Sequence, residues 1–171
     1  MKSVVLAFAA SAFVMGAAAA PAPKVTSIST LAELPTPLPF PYSADSDANK
    51  AVDAAIAEAK AEHKRAFIDL GGNWCGDCRV LSGIMELPEV KKFVDAHYVV
   101  VTVDVGRFNR NLQIPARWNA VDAMKNGGVP SVLVVDPGTG KLVDQGHIAA
   151  LEDARNMTPQ AIADWVAQWA N

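Results

Sequence analysis

Residues 67 to 78 read Phe-Ile-Asp-Leu-Gly-Gly-Asn-Trp-Cys-Gly-Asp-Cys. Phe67 to Leu70 is a short apolar run interrupted by Asp69 and closed by Gly71 and Gly72, the pattern of a central strand that carries one buried acid. A helix is expected next, through Arg79, Val80, Leu81, Ile84 and Met85. Cys75 and Cys78 are the only cysteines in the chain, and they straddle the start of that helix. A helix N-terminus offers unpaired amides and a positive dipole end, which stabilise a thiolate and lower the pKa of the first cysteine. Cys75 is therefore the candidate nucleophile. Cys78, one turn further on, is within reach of the Cys75 sulfur and faces inward, which suits a resolving thiol that attacks a mixed disulfide at Cys75 and releases the substrate.

Two other readings stand beside this one. The pair could be a permanent structural disulfide, although so short a loop constrains the unfolded chain little and stabilises correspondingly little. It could also contribute to a zinc site, but a closed site needs four ligands, and His63, His97 and His147 do not stand at metal-motif spacing. The three histidines are assigned no role, no metal is expected and no dissociable cofactor is required.

Downstream of the cysteines, Pro88 should end or kink the helix, and Val90 to Ala96 forms a further helical piece. Tyr98 to Val105 is rich in valine and reads as a second buried strand, so strand, helix, strand implies a parallel βαβ unit. Ser131 to Val135 and Leu142 to Gln145 flank Asp-Pro-Gly-Thr-Gly at 136 to 140, which predicts an antiparallel hairpin. Thr158 as N-cap, Pro159 at the first helical position and Ile162, Trp165, Val166 and Trp169 on one face define a closing helix, the tryptophans packing on the sheet.

Upstream, Ala51, Val52, Ala55, Ile56 and Ala59 recur at helical spacing among charged residues, so the folded domain is expected over 45–171. Residues 21–44 carry Pro21, Pro23, Pro35, Pro37, Pro39 and Pro41 and read as an extended linker or a surface strap. Lys2, the apolar run from Val4 to Met15 and the small residues Gly16 to Ala20 have the form of a secretory signal peptide over 1–20, with cleavage after Ala19 favoured because Pro21 disfavours a cut directly before it. The run is too short for a membrane span, so no membrane insertion is expected after cleavage. The expected location is periplasmic or secreted.

The chain has 171 residues, of which 51% are hydrophobic and 19% charged, with a formal net charge of -3. This composition fits one globular core, and without a dense Lys/Arg block it argues against nucleic-acid binding.

Residues 67 to 78 resemble the active-site strand and turn of the thioredoxin family, with Trp74 before the nucleophile and Asp69 six residues ahead of it. Gly128-Val129-Pro130 resembles the loop that carries that family's cis-proline, and the resemblance extends over about 48–171. It implies an α/β thioredoxin fold, a mixed central sheet flanked by helices, preceded here by the proline-rich segment. It also implies thiol–disulfide exchange with cysteine-containing protein substrates, in which Asp69 shuttles a proton for Cys78, Trp74 shields the sulfur, and Val129 with Pro130 shapes the substrate groove. A membrane electron donor or other redox partner would recycle the exported protein.

Three departures from the family pattern stand out. Gly76 and Asp77 replace Gly-Pro between the cysteines, and Asp77 is expected to disfavour the Cys75 thiolate, partly offset by Arg79, and so to favour electron donation. The lysine that partners the buried acid in many members falls on Val100. The stretch from Asp104 to Pro130 is long and contains Arg107, Arg110, Arg117, Trp118 and Lys125; it reads as a solvated loop over one sheet edge, with partner recognition as the other possibility. Reduction is the expected direction; the alternatives are an oxidant or isomerase, or a non-catalytic binding or chaperone module on the same fold.

Overall fold

A computed structural model describes residues 20–171. The expected signal peptide thus lies outside the described residues except for Ala20. Asp47 caps helix α1 (Ala48–Ala61), its side chain accepting from the Lys50 amide. Val52, Ala55 and Ala59 then lie on one buried stripe. Strand β1 (Arg65–Gly71) is buried on both faces after its first residue, as a central strand must be. Helix α2 (Gly76–Met85) follows at once, with Cys75 as its N-cap. Pro88 starts a new helix, α3 (Pro88–His97), because its missing N–H is no loss at a first helical position. Strand β2 (Tyr98–Asp104) pairs parallel with β1 and completes the βαβ unit.

The stretch from 105 to 128 departs from the solvated loop read from its composition. It forms a short helix α4 (Gln113–Ala116) and helix α5 (Val121–Gly127), and buries Ile114 and Met124 completely. Arg117, still exposed, donates to Asp53 and Asn49 of α1 and ties the stretch to that helix. Apolar residues at 114 and 124 gain more from burial than a mobile loop would allow, about 1.5–3 kcal/mol each.

Strand β3 (Ser131–Asp136) runs antiparallel to β1, and β4 (Lys141–Leu142) pairs antiparallel with β3. The Asp136 side chain closes the hairpin by accepting from the amides of Gly138 and Thr139. The expected strand over Leu142 to Gln145 is cut to two residues. The buried Asp144 carboxylate takes the Val134 amide that a continuing ladder would use, at 3.0 Å. Thr158 caps helix α6 (Pro159–Gln168), whose Ile162, Trp165 and Val166 are buried.

The sheet order is β2-β1-β3-β4. Phe67, Val132 and Val134 face the core shared with α2, α3 and α6, whereas Ile68, Leu70, Leu133 and Val135 face that of α1, α4 and α5. This is an α/β architecture with a mixed sheet and helices on both sides.

The proline-rich segment is a strap rather than a free linker. The Val25 amide donates to Gln160 of α6, and the Thr26 and Ser27 amides donate to Glu89 of α3 at 2.8 and 2.9 Å. Arg79 of α2 donates to the carbonyls of Leu38 and Pro39 and lies over the Phe40 ring. Leu34 and Tyr42 are buried, so packed structure begins before Asp45. Among the described residues, no helix is long and apolar enough to cross a membrane.

Candidate active site

Cys75 and Cys78 form a disulfide at the junction of β1 and α2. The turn Gly72-Asn73-Trp74 carries the chain out of the sheet, and the Cys75 amide closes it onto the Gly72 carbonyl. As N-cap, Cys75 accepts the Cys78 amide on its sulfur at 3.1 Å, the contact that would stabilise a thiolate there. Cys75 keeps 5% of its surface exposed, whereas Cys78 is fully buried. An incoming sulfur therefore meets Cys75 first.

The segment before β3 lies against this disulfide. The Val129 carbonyl oxygen is 3.4 Å from the Cys75 sulfur, and the Val129–Pro130 peptide bond is cis. Trp74 stands at the rim, 44% exposed. Its indole donates to the Gly106 carbonyl at 2.8 Å, and the Arg107 guanidinium lies 4.2 Å from its ring centroid. Thus Cys75, Cys78 and Trp74 meet Val129-Pro130 from two separated parts of the chain.

Asp69 sits inside. It is 1% exposed, and burial raises its pKa to about 7, against the lowering effect of one hydrogen bond. That bond comes from Tyr42 of the strap, whose hydroxyl donates to Asp69 Oδ2 at 2.8 Å. Asp69 Oδ1 receives no hydrogen bond from the described residues. Residues two apart on a strand share a face, so Asp69 and Gly71 point the same way. A Cβ at Gly71 would lie 2.8 Å from the Cys78 sulfur and would overlap the Tyr42 hydroxyl. The acid, the tyrosine and the resolving cysteine therefore border one small space. The residue opposite Asp69 on β2 is Thr102; Val100 lies opposite Phe67 and is 37% exposed, so it does not face the acid.

Asp77 is largely buried, and its partner is Arg155, not Arg79. The Arg155 amide donates to Asp77 Oδ1 at 2.9 Å, and its guanidinium donates to Oδ2 at 3.0 Å. The same guanidinium covers Gly76, where a Cβ would come within 3.2 Å of it. Arg79 is committed to the strap carbonyls. The charge between the cysteines is thus a compensated pair, because the 3-10 turn Ala154–Asn156 is brought against α2.

Tyr42, Asn73 and Arg155 were not singled out by the sequence. The one cue to Tyr42 is an aromatic residue closing a run of prolines. Arg155 has no local cue, since it reaches Asp77 across 78 residues. Among the described residues, no three His, Cys, Asp or Glu side chains converge as a metal site.

The geometry defines a dithiol–disulfide centre at a helix N-terminus on a thioredoxin-like fold. The chain belongs to the thioredoxin-like family, whose model matches residues 47–137. Among solved structures it is similar to a disulphide isomerase from Xylella fastidiosa Temecula1, with 34% identity and a TM-score of 0.68. That match covers 77% of this chain and 97% of the other. It is also 38% identical over 40 residues to a thioredoxin H-type of Chlamydomonas reinhardtii, a match that covers 23% of this chain. The chain there spans about a third of its relative, 35% of the length.

Proposed function

We propose that the protein is an exported thiol–disulfide oxidoreductase that reduces disulfides in protein substrates. The observation that carries this reading is the graded burial of two cysteines at the head of α2, one on the helix N-cap with a small exposed edge and one enclosed behind it. The Cys75 thiolate attacks a substrate disulfide; a mixed disulfide forms and one substrate thiolate leaves. Cys78 then gives its proton to Asp69 and attacks the Cys75 sulfur. The Cys75–Cys78 bond forms, the second substrate thiolate leaves, and solvent protonates it. Two protein thiols are oxidised and one substrate disulfide is reduced. The Val129 carbonyl and Pro130 offer backbone beside Cys75 to an extended substrate, with Trp74 at the rim.

A second direction, isomerisation, is favoured by the likeness to the Xylella disulphide isomerase. The reduction potential of the Cys75/Cys78 pair separates the two. A value near -270 mV supports the reductase and a value near -180 mV the isomerase, while a value near -120 mV would mark an oxidant. Insulin reduction tests the activity itself: wild type should reduce insulin, Cys75→Ser should be inactive, and Cys78→Ser should accumulate mixed disulfides with substrates. An inert wild type leaves the binding-module reading. Export rests on the sequence of 1–20; sequencing the N-terminus of the protein recovered from its host tests it, with a start near residue 20 as the expected result. An exported reductase would in turn draw electrons from a membrane donor.

A further inference from the structure

The strap reaches into the site, and one of its side chains has no structural need to be polar. Tyr42 closes the proline-rich run and is buried, its hydroxyl reaching the face of β1 that Asp69 and Gly71 share. A phenylalanine would fill the same volume, so the hydroxyl calls for a separate explanation. That hydroxyl does not bond to the backbone beside it. It donates to Asp69 Oδ2, 27 residues away, and borders the Cys78 sulfur across the space left open by Gly71. The Tyr42 backbone is held on both sides by Asn73, which accepts its amide on Oδ1 at 3.1 Å and donates Nδ2 to its carbonyl at 2.7 Å. Asn73 stands two residues before Cys75, so the clamp ties the strap to the turn that presents the nucleophile. Thr102 of β2, opposite Asp69, adds a third tie by donating to the Pro41 carbonyl at 2.8 Å.

We propose that Tyr42, supplied by the strap and locked by Asn73, is a positioning residue for the resolving step: it holds Asp69 in the ionised form and turns its free oxygen toward Cys78. The inference deepens the exchange reading above and rests on it. A hydroxyl that donates to a carboxylate stabilises the charged form, so Tyr42 opposes the burial that would otherwise keep Asp69 protonated. With Oδ2 engaged, Oδ1 is the oxygen left to receive a proton. The groups facing this cluster are few. Cys78 comes from α2, Tyr42 from the strap, and Asp104 at the end of β2 acts on Tyr42 through space, itself paired with Arg110 at 3.4 Å. Burial and the nearby Asp69 raise the Tyr42 pKa far above the physiological range, so the tyrosine stays a donor throughout.

The test separates the two half-reactions. Reduced protein is mixed with Ellman's reagent; the first nitrothiobenzoate released reports attack by Cys75, and the second reports resolution by Cys78. In wild type the second rate should rise with pH about a midpoint near 7, the value of Asp69. Tyr42→Phe should move that midpoint up by about one unit and slow resolution at pH 7 about fivefold, with the first release unchanged. Asn73→Ala leaves the hydroxyl in place but frees the strap, and should shift the midpoint the same way by less. Either variant with wild-type midpoint, or with both releases slowed alike, overturns the proposal. If Tyr42→Phe does not fold, Asn73→Ala decides, with a carbon-13 titration of Asp69 in wild type and variant, and an Asp69 midpoint that is the same in both overturns it. The shift in that titration between wild type and variant also keeps the failures apart. A wild type that does not reduce insulin defeats the exchange reading, whereas the Asp69 midpoint tests the tyrosine by itself.

Discussion

The Asp77 carboxylate stands between the two cysteines, yet Arg155 shares its charge and lies over Gly76 beside the nucleophile. The anion alone would disfavour the Cys75 thiolate; the pair leaves a much weaker field. The Arg155 pKa is raised chiefly by its hydrogen bond to Asp77, which agrees with a mutual pairing. Arg155→Met should therefore expose the anion, raise the Cys75 pKa by a few tenths of a unit and lower the potential by about 10 mV, read by thiolate absorbance and glutathione equilibrium. Asp77→His should act the other way, since it removes the anion and leaves the guanidinium unpaired. An unchanged potential in the Arg155→Met protein would show that Arg155 does not reach the thiolate. At Asp69 the expected variant is Asn, which cannot take the Cys78 proton. Asp69→Asn should slow insulin turnover several-fold and flatten its pH dependence while the protein stays folded. A pH profile that matches wild type would reduce Asp69 to a structural acid.

Elements with local signals were legible in the sequence. Phe67 to Leu70, the Asp136 turn and the Thr158-Pro159 cap are each specified by neighbours within a few residues, and each forms where those neighbours predict. The cysteines were legible for the same reason, because a helix N-terminus at Gly76 is a local property. What the sequence did not disclose depends on distant partners. β4 is short because the Asp144 side chain competes for the Val134 amide. The helices of 113–127 exist because Ile114 and Met124 find a core at α1, and the strap has no hydrophobic period to reveal its docking. Glu89 is its main anchor, accepting from two amides and from the Ser27 hydroxyl, and those bonds hold its pKa down at about 2. Glu89→Ala should release residues 22–30 to protease and, allowing for solvent screening at an exposed site, cost about 0.5 kcal/mol of stability. An unchanged digestion pattern would mean that Gln160, which takes the Val25 amide, holds this end by itself.

At the scale of the molecule, two buried acids set an unusual pH response. Asp69 and Asp144 are both pushed up to about 7 by burial. Unfolded aspartates ionise near pH 4, so between about 4 and 7 the folded state binds more protons and stability falls as pH rises. Glu89 has the opposite sign: its depressed pKa contributes stability that is present above its unfolded value and is lost as pH falls toward 2. The chain should be most stable at about pH 4, where Glu89 is already ionised and both buried acids are still protonated, with a lower Tm at pH 8. Asp144→Asn, which keeps an oxygen for the Val134 amide, should recover part of that loss at pH 8. A Tm that climbs steadily from pH 5 to pH 8 would contradict the burial of both acids. The strap also fixes an order of assembly. Its Val25 amide pairs with Gln160, 135 residues later, so in a chain growing from its N-terminus that end of the strap is tied down only when nearly all of the chain has been made. The Tyr42 end has partners much nearer in the chain, Asn73 and Thr102, which are made long before that helix. The strap is thus fastened from the inside outward: the segment over the inner thiol finds its partners first, and the last helix to be synthesised ties down only the free end.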